Sequence, residues 1–222
     1  MSAAPPPPKT RYRLLKNYYS RADYFRHDIN KGTIRTPTGE RICALTSDFL
    51  LGFHKAVEFE CGKATPLVFK TAGKRWGKQF TERFERDLSA HYRVPIKDLS
   101  TAVVYECLAE AFRHHGWGRL SISFQEAEFG FILVEIKNSV MPELLGKRKE
   151  PCDYLMSGFF ASFFSHFANQ ELDCEQTTCP SMGSDASRFI VGLPQRIQNI
   201  PDWITQGLGQ SELVSRMRIS VL

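Results

Sequence analysis

The sequence predicts an α+β fold in which an antiparallel sheet packs against helices. Apolar residues recur at helical spacing over long stretches, and pairs of strand-like segments are each joined by a short turn. Of the 222 residues, 42% are hydrophobic and 24% are charged, which is typical of a globular protein. A sheet made of hairpins has a face to cover, and amphipathic helices supply that cover. We therefore expect one domain with a core rich in its 17 phenylalanines.

Composition argues against two classes of partner or location. The net charge of +5 is modest, and acidic residues are interleaved with basic ones, so we expect no nucleic-acid partner. The longest apolar run, residues 158–164, is far shorter than the roughly 20 residues of a membrane-spanning helix. No secretory signal is visible, so we expect a cytoplasmic protein, at most peripheral to a membrane complex, with mostly reduced cysteines.

The N-terminal part predicts an arm and a hairpin. Residues 1–24 are expected to form a flexible arm, because residues 5–8 are consecutive prolines and no periodicity follows them. Such an arm can wrap onto the domain. Residues 33–36 and 40–45 are β-compatible and flank a Pro-Thr-Gly turn, which predicts a hairpin.

Three helices are predicted next. The first runs from Ser47, as its cap, to Gly62. The second has Thr65 as its cap and Pro66 at its first position, and the third covers residues 100–115. The apolar stripe of the second helix recurs at every fourth residue: Val68, Ala72, Trp76, Phe80, Phe84, Leu88 and Tyr92.

Two glycines, Gly73 and Gly77, interrupt the second helix. Each costs about 1 kcal/mol relative to alanine inside a helix, so another backbone or a ligand must approach closely there. Close helix packing and the tail of an apolar ligand are both open. We predict the ligand, in which case Gly77→Leu abolishes the binding of a hydrophobic probe but leaves the protein folded.

Alternating polar and apolar residues predict two further hairpins. Residues 119–125 and 129–137 form the first, and residues 171–178 and 189–191 form the second. Between them lie a loop and a helix, followed after the second hairpin by a C-terminal amphipathic helix. The loop covers residues 142–151, the helix covers residues 154–169 with Asp153 as its cap, and the last helix starts near Gln195.

The predicted central helix is apolar almost all round, through Phe159, Phe163 and other phenylalanines. Such a helix must be buried on most of its faces. We expect it to be the most buried element, and Phe163→Ala to cost about 3–5 kcal/mol.

The segment at residues 157–191 carries a family resemblance. It contains a helix of small and aromatic residues, a strand, the motif Cys179-x-x-x-Gly183 and then Phe189. This resembles the C-terminal motif of the 4-vinyl reductase (4VR) domain family, where Cys-x-x-x-Gly precedes Cys-x-Phe. Residues 73–80 and 115–118, Gly-Lys-Arg-Trp-Gly-Lys-Gln-Phe and His-Gly-Trp-Gly, resemble the versions found in phototrophs.

The resemblance covers about residues 25–195, which we take as a ligand-binding domain, with residues 196–222 as a helical C-terminal extension. It implies a fold similar to that of TRAPP transport-particle subunits, which are often dimeric. The expected partner is a second copy, a related domain or a membrane-protein complex. One apolar helix face should then be exposed in the monomer and covered by a like or related domain.

One position departs from the family pattern. Ser187 stands where the family carries its second cysteine, so the suspected metal or redox pair is broken. Cys174 is a substitute and His166 the candidate third ligand, but tetrahedral zinc needs four ligands. We therefore expect Cys179 to be unbridged, at a strand end, and without stoichiometric zinc.

The residues offer no convincing catalytic constellation. No nucleophile–base pair, paired carboxylates or dinucleotide fingerprint is spaced for catalysis, and His114 and His115 are expected to cap helix carbonyls. An autonomous enzyme is therefore not expected. We carry three hypotheses: a non-catalytic binding or assembly protein, a subunit of a (bacterio)chlorophyllide 4-vinyl reductase, and a zinc or redox module.

The first hypothesis is preferred, with a tetrapyrrole, lipid or other hydrocarbon as ligand and photosynthetic complex or pigment assembly as its setting, as the resemblance implies. Its predicted pocket lies between the long helix, the Phe-rich helix and the sheet, although a filled core is an equally open alternative. The residues predicted to line the pocket are Gly73, Trp76, Gly77, Phe80, Phe159, Phe163 and Met182. Lys74, Arg75 and Lys78 would face an acidic group outside it.

Overall fold

The computed structural model describes residues 16–219; the prolines of the predicted arm lie outside this part. The elements follow one another in this order: β1 (Arg26–Asp28), β2 (Thr33–Arg35), β3 (Arg41–Ile42), α1 (Ser47–Cys61), α2 (Thr65–Tyr92), α3 (Thr101–His114), β4 (Arg119–Ser123), β5 (Phe131–Lys137), α4 (Val140–Leu145), α5 (Tyr154–Ala168), β6 (Asp173–Thr178), β7 (Ser187–Gly192), α6 (Pro194–Ile197), α7 (Ile200–Thr205) and α8 (Gln210–Ile219). No helix among the described residues combines the length and apolarity that crossing a membrane requires.

The main sheet has the strand order β4-β5-β7-β6, with antiparallel neighbours throughout. Both hairpins predicted in this half of the chain are present, which confirms the α+β architecture of an antiparallel sheet on helices. The β4–β5 register places Ile122 opposite Val134, and the β5–β7 register places Val134 opposite Phe189. The predicted loop at residues 142–151 differs, because its first residues belong to α4.

The two faces of this sheet are covered by different helices. Val134, Ile136 and Phe189 point into the core formed with α2, α3 and α5, while Phe131 and Ile190 point the other way. The second face packs against Ile197, Ile200, Leu213 and Met217 of the C-terminal helices. The predicted single C-terminal helix is thus three short ones, since Pro201 and the Gly207–Gly209 turn interrupt it.

A second, small sheet is formed by β1, β2 and β3. The predicted hairpin is its β2–β3 pair, whereas β1 lies in a stretch for which no strand was predicted. Residues 16–24 precede it and are not a flexible arm. Tyr18, Tyr19 and Tyr24 are buried and pack with Phe84 of α2, because their rings bury apolar area on the domain.

The long helix α2 buries a slightly different stripe from the predicted one. Phe80, Phe84, Leu88 and Tyr92 are buried as expected, but Val68 and Ala72 face outward. The buried positions of the first half are instead Phe69, Gly73 and Gly77.

Those two glycines seat α2 directly on α5. A Cβ atom at Gly73 would lie 2.0 Å from the carbonyl oxygen of Leu155, and one at Gly77 would lie 2.7 Å from that of Phe159. Gly158 makes the reciprocal approach to α2, with its Cβ position 2.0 Å from the oxygen of Lys70. The room at Gly73 and Gly77 is therefore filled by helix backbone, and the predicted ligand tail has no space there.

Helix α5 is central, as predicted. Phe159, Phe160 and Phe163 are fully buried, and their rings contact those of α2, α3 and β7 at edge-on or stacked angles. Aromatic pairs in these arrangements stabilise a core beyond the area that they bury.

Two predicted helix caps are wrong. The N-caps of α1 and α2 are Thr46 and Ala64, and neither makes a side-chain capping bond. The hydroxyl of Thr65 is instead buried without a hydrogen-bond partner. Asp153 is the N-cap of α5 as predicted, although its carboxylate accepts a hydrogen bond from the hydroxyl of Ser139.

Candidate functional site

An aromatic cleft lies between the small sheet, the start of α1, the middle of α2 and the segment that follows α3. Its volume is about 630 Å³, within the range of small-molecule sites. The apolar residues that line it are Phe25, Ile34, Ile42, Ala44, Leu45, Leu50, Trp76, Trp117 and Val140. The polar ones are His27, Arg41, Cys43, Ser47, Arg83, His114 and His115.

Two tryptophans form the back wall of the cleft. The ring of Trp76 meets that of Trp117 edge-on, with centroids 4.9 Å apart. Behind them Phe159 contacts both rings, at 4.6 Å from Trp76 and 6.4 Å from Trp117. This packing fixes the wall from the core side, while both indole rings stay only partly buried.

The turn from α3 into β4 brings His115 and Trp117 into the cleft. Gly116 and Gly118 have φ angles of +73° and +116°, which a glycine adopts without strain. Gly118 also passes close to β5, because its Cβ position is 2.6 Å from the carbonyl oxygen of Lys137. The His-Gly-Trp-Gly motif is thus a tight turn that presents an imidazole and an indole side by side, with ring centroids 4.6 Å apart.

His115 offers a hydrogen-bond acceptor to the cleft. Its Nδ1 lies 2.8 Å from the carbonyl oxygen of Ala111, so Nδ1 donates and caps α3 as expected. Burial lowers the pKa of His115 and favours the neutral ring, whose free lone pair is then on Nε2. The hydroxyl of Tyr24 is the donor nearest to Nε2, at a long 3.5 Å.

The charge of the cleft is one-sided. Arg41 and Arg83 line it together with three histidines, and none of the lining residues that the structure describes is acidic. The lining therefore suits a neutral or anionic molecule and disfavours a cation.

The predicted pocket residues are not brought together in one cavity. Trp76 lines the cleft, whereas Phe80, Phe159 and Phe163 form the filled core behind it. Gly73 and Gly77 contact α5, and Met182 lies in the turn after β6. Of the outer basic residues, Lys74 pairs with Asp173 at 3.2 Å.

Sequence reasoning missed Trp117, His115 and the small sheet as parts of a site. The two glycines around Trp117 were a signal for a sharp turn at that place. The contribution of β2 and β3 carried no such signal, because strands of two or three residues are too short to show a period.

The family-motif residues lie at the far end of the β6–β7 hairpin. Cys179 follows β6 and is fully buried, and Gly183 takes a φ of +93° that closes the turn. Ser187 begins β7 with its hydroxyl buried and without a partner, and Phe189 lies in the main core. The predicted position of Cys179, at a strand end and unbridged, is observed.

A residue that the sequence analysis did not consider, Cys152, is the neighbour of Cys179. Their Sγ atoms are 3.9 Å apart. The hydrogen bond from Cys152 lowers the pKa of Cys179 to about 7, and the same bond, with burial, raises the pKa of Cys152. Gln176 fixes this corner, since its Oε1 accepts from the backbone N–H groups of Cys152 and Asp153 at 3.0 and 2.8 Å.

The residues of this corner do not fit a zinc ion. Cys152 and Cys179 supply two thiol sulfurs, but the Gln176 oxygen is engaged by backbone N–H groups and Ser187 supplies only a hydroxyl. Structural zinc sites use four cysteine, histidine or carboxylate ligands. Of the predicted candidates, Cys174 is buried in the main core and His166 pairs with Glu85 at 2.8 Å. Within residues 16–219 no three such side chains converge.

Among solved structures, the chain is similar to the phenol-responsive sensory domain of the transcription activator PoxR, determined with phenol. The TM-score is 0.64 at 14% identity, covering 83% of this chain and 92% of that one. At this identity the likeness concerns the fold alone.

Two further structures match over a smaller share of the chain. A vinyl-4-reductase family protein from Methanocaldococcus jannaschii has a TM-score of 0.48 at 16% identity, covering 68% of this chain and 82% of that one. A trafficking protein particle complex subunit 3 from Naegleria fowleri, covalently bound to palmitic acid, has a TM-score of 0.44 at 14% identity, covering 66% and 94%.

The search of curated proteins finds no match. The family models do give one: residues 132–193 match the model of the vinyl-4-reductase (4VR) domain. This stretch runs from β5 to the residue after β7 and contains all four family-motif residues, so the resemblance drawn from them is confirmed. The chain therefore contains a 4VR domain.

Proposed function

We propose that this protein is a non-catalytic binding module for a small, largely apolar molecule, and that the aromatic cleft is its binding site. The observation that carries the proposal is the combination of two partly buried indole rings with the acceptor nitrogen of His115 in a cleft of about 630 Å³. Apolar walls with a few placed polar groups are typical of small-molecule sites.

The ligand class that fits best is an aromatic ring with one hydroxyl group. The ring would pack on Trp76 and Trp117, and the hydroxyl would donate to Nε2 of His115 in place of the long bond from Tyr24. The phenol with which the PoxR sensory domain was determined supports this choice. The arginines of the lining would also accept a phenolate or carboxylate form.

Larger apolar molecules belong to the same proposal as less favoured ligands. Lipids, hydrocarbons and tetrapyrroles would require α1 and the small sheet to move outward, and a role in pigment or photosystem assembly depends on the last of them. Native mass spectrometry of freshly purified protein separates these ligands by mass. Turnover of a divinyl tetrapyrrole with added reductant would favour the alternative, a reductase subunit.

The test is titration with 2-naphthol and with naphthalene, followed by tryptophan fluorescence. We expect both to bind, 2-naphthol more tightly. Trp76→Ala should weaken both ligands. His115→Phe should weaken 2-naphthol about tenfold and naphthalene little, because one hydrogen bond of about 1–1.5 kcal/mol is lost.

The matched control is Trp203→Phe, since Trp203 belongs to α7 and packs on the other face of the sheet. It should leave both affinities unchanged. If folded wild-type protein binds neither compound, or if Trp76→Ala binds both as tightly as wild type does, the cleft is not the binding site.

We also propose that a second copy of the chain covers the apolar face of α1. Phe49 and Phe53 are 54% and 56% exposed, one turn apart on a helix that buries only His54. Together with the exposed Leu45, they form the kind of apolar helix face expected of a dimerising domain.

A further inference from the structure

Cys152 and Cys179 form a buried dithiol that the proposed binding function does not use. The two residues are 27 positions apart, and their Sγ atoms are 3.9 Å apart. Their exposed fractions are 4% and 0%. A disulfide has an S–S distance of about 2.0 Å, so the sulfurs must approach each other by about 2 Å to bond.

The local backbone can supply this movement. Cys152 lies in the connection between α4 and α5, and Cys179 lies between β6 and the turn Pro180–Met182. Neither residue is in the interior of a helix or strand, so a small rotation of each side chain breaks no ladder of backbone hydrogen bonds. Cys174 has no such option, because it is inside β6 and faces the main core.

A path for a small oxidant leads to one of the two sulfurs. Cys152 lines a cavity of about 280 Å³, together with His54, Arg148 and Tyr154. Cys179 is not among the residues that line this cavity. A peroxide therefore meets Cys152 first, and Cys179 lies behind it.

We propose that this dithiol is a site of reversible oxidation by a small peroxide, with Cys152 as the attacking residue and Cys179 as the resolving residue. The thiolate of Cys152, its proton released to the partner sulfur or to solvent, attacks one peroxide oxygen. The O–O bond breaks, hydroxide leaves, and Cys152 becomes a sulfenic acid. The sulfur of Cys179 then attacks Cys152, the S–S bond forms, and water leaves.

The step balances without a metal or cofactor. Two thiols and one hydrogen peroxide give one disulfide and two waters, so the pair loses two electrons and the peroxide gains them. An added dithiol reverses the reaction by thiol–disulfide exchange.

The experiment uses the full chain with Cys43→Ser and Cys61→Ser, since these are the surface cysteines and would form bonds between molecules. The protein is treated with hydrogen peroxide, quenched, unfolded and alkylated, and its mass is measured. We expect two of the four remaining cysteines to escape alkylation, peptide mapping to join Cys152 with Cys179, and dithiothreitol to restore all four.

Cys174→Ser is the matched control, a buried cysteine whose loss should leave the disulfide unchanged. In Cys179→Ser the disulfide should be absent and Cys152 should be trapped by a sulfenic-acid reagent. The proposal is overturned if all four cysteines stay alkylatable at a peroxide dose that oxidises Cys43 in wild-type protein. A disulfide that involves Cys107 or Cys174 overturns it too, as does one zinc per chain that is lost in Cys179→Ser.

Discussion

Asp153 is the residue whose charge is held at the greatest disadvantage. It is almost fully buried at the N-cap of α5, and one of its carboxylate oxygens has no hydrogen-bond partner. Burial raises its pKa from 3.8 to about 6, and the hydrogen bond from Ser139 offsets only part of this effect. The folded protein therefore binds the Asp153 proton more tightly than the unfolded chain does.

The sign of the pH dependence follows from that difference. The stabilisation from the protonated Asp153 is complete below pH 3.8 and is lost as the pH rises through 6. Asp153→Asn keeps an acceptor for Ser139 and removes the charge, so it should lose this dependence. We expect the free energy of unfolding of the variant, relative to wild type, to rise by about 3 kcal/mol between pH 4 and pH 7.

The measurement is urea unfolding of both proteins across this pH range. Asp202→Asn is the matched control at an exposed position, and it should follow the wild-type curve. Parallel curves for wild type and Asp153→Asn would show that the carboxyl is not held protonated.

At the scale of the elements, the contact between α2 and α5 should govern stability through its glycines. Gly73→Ala places a methyl group 2.0 Å from the Leu155 carbonyl oxygen, so the helices must separate. We expect a loss of about 3 kcal/mol in the free energy of unfolding. By the same reasoning, Gly77→Leu should disrupt folding rather than selectively block a ligand.

The control is a glycine in a helix with free space around it. Gly52 lies inside α1 with no atom within 4 Å of its Cβ position. Gly52→Ala should therefore stabilise the protein by about 0.5–1 kcal/mol, since only helix propensity changes. Equal effects of the two alanine substitutions in urea unfolding would contradict the close contact.

The second prediction at this scale concerns the rings of α5. Phe163 is fully buried and contacts Phe80, Phe84 and Phe159. Phe163→Ala should cost about 3–5 kcal/mol because a large cavity opens. Phe167→Ala, at a partly buried position of the same helix, should cost clearly less. An unchanged Tm for Phe163→Ala would exclude this packing.

At the scale of the whole molecule, the apolar face of α1 predicts the oligomeric state. Phe53→Glu places a charge in the proposed dimer contact and should convert a dimer to a monomer at micromolar concentration, without lowering the Tm of the monomer. Phe59→Glu is the control, since Phe59 is 85% exposed and lies on another side of α1. Sedimentation velocity distinguishes the two. A wild-type protein that is monomeric at high concentration would rule out the second copy.

The architecture could be predicted from the sequence to a large extent, because helices and strands leave a local period in the chain. The stripe of α2 from Phe80 to Tyr92, the ring-rich α5 and the alternation in β4 and β5 all reflect backbone geometry over neighbouring residues. The family motif is likewise local, since Cys179, Gly183 and Phe189 lie within one hairpin.

The candidate sites depend on contacts between distant residues, which no local period records. The sequence by itself determined that something must approach Gly73 and Gly77, since a helix does not carry such residues without a close neighbour. Only the tertiary structure decided that this neighbour is the backbone of α5 and that the open space lies beside Trp76, against the small sheet and Trp117. It likewise decided that the partner of Cys179 is Cys152. The physical reason is that periodicity depends on a residue's own backbone, whereas a cavity or a pair of sulfurs depends on how separate elements pack.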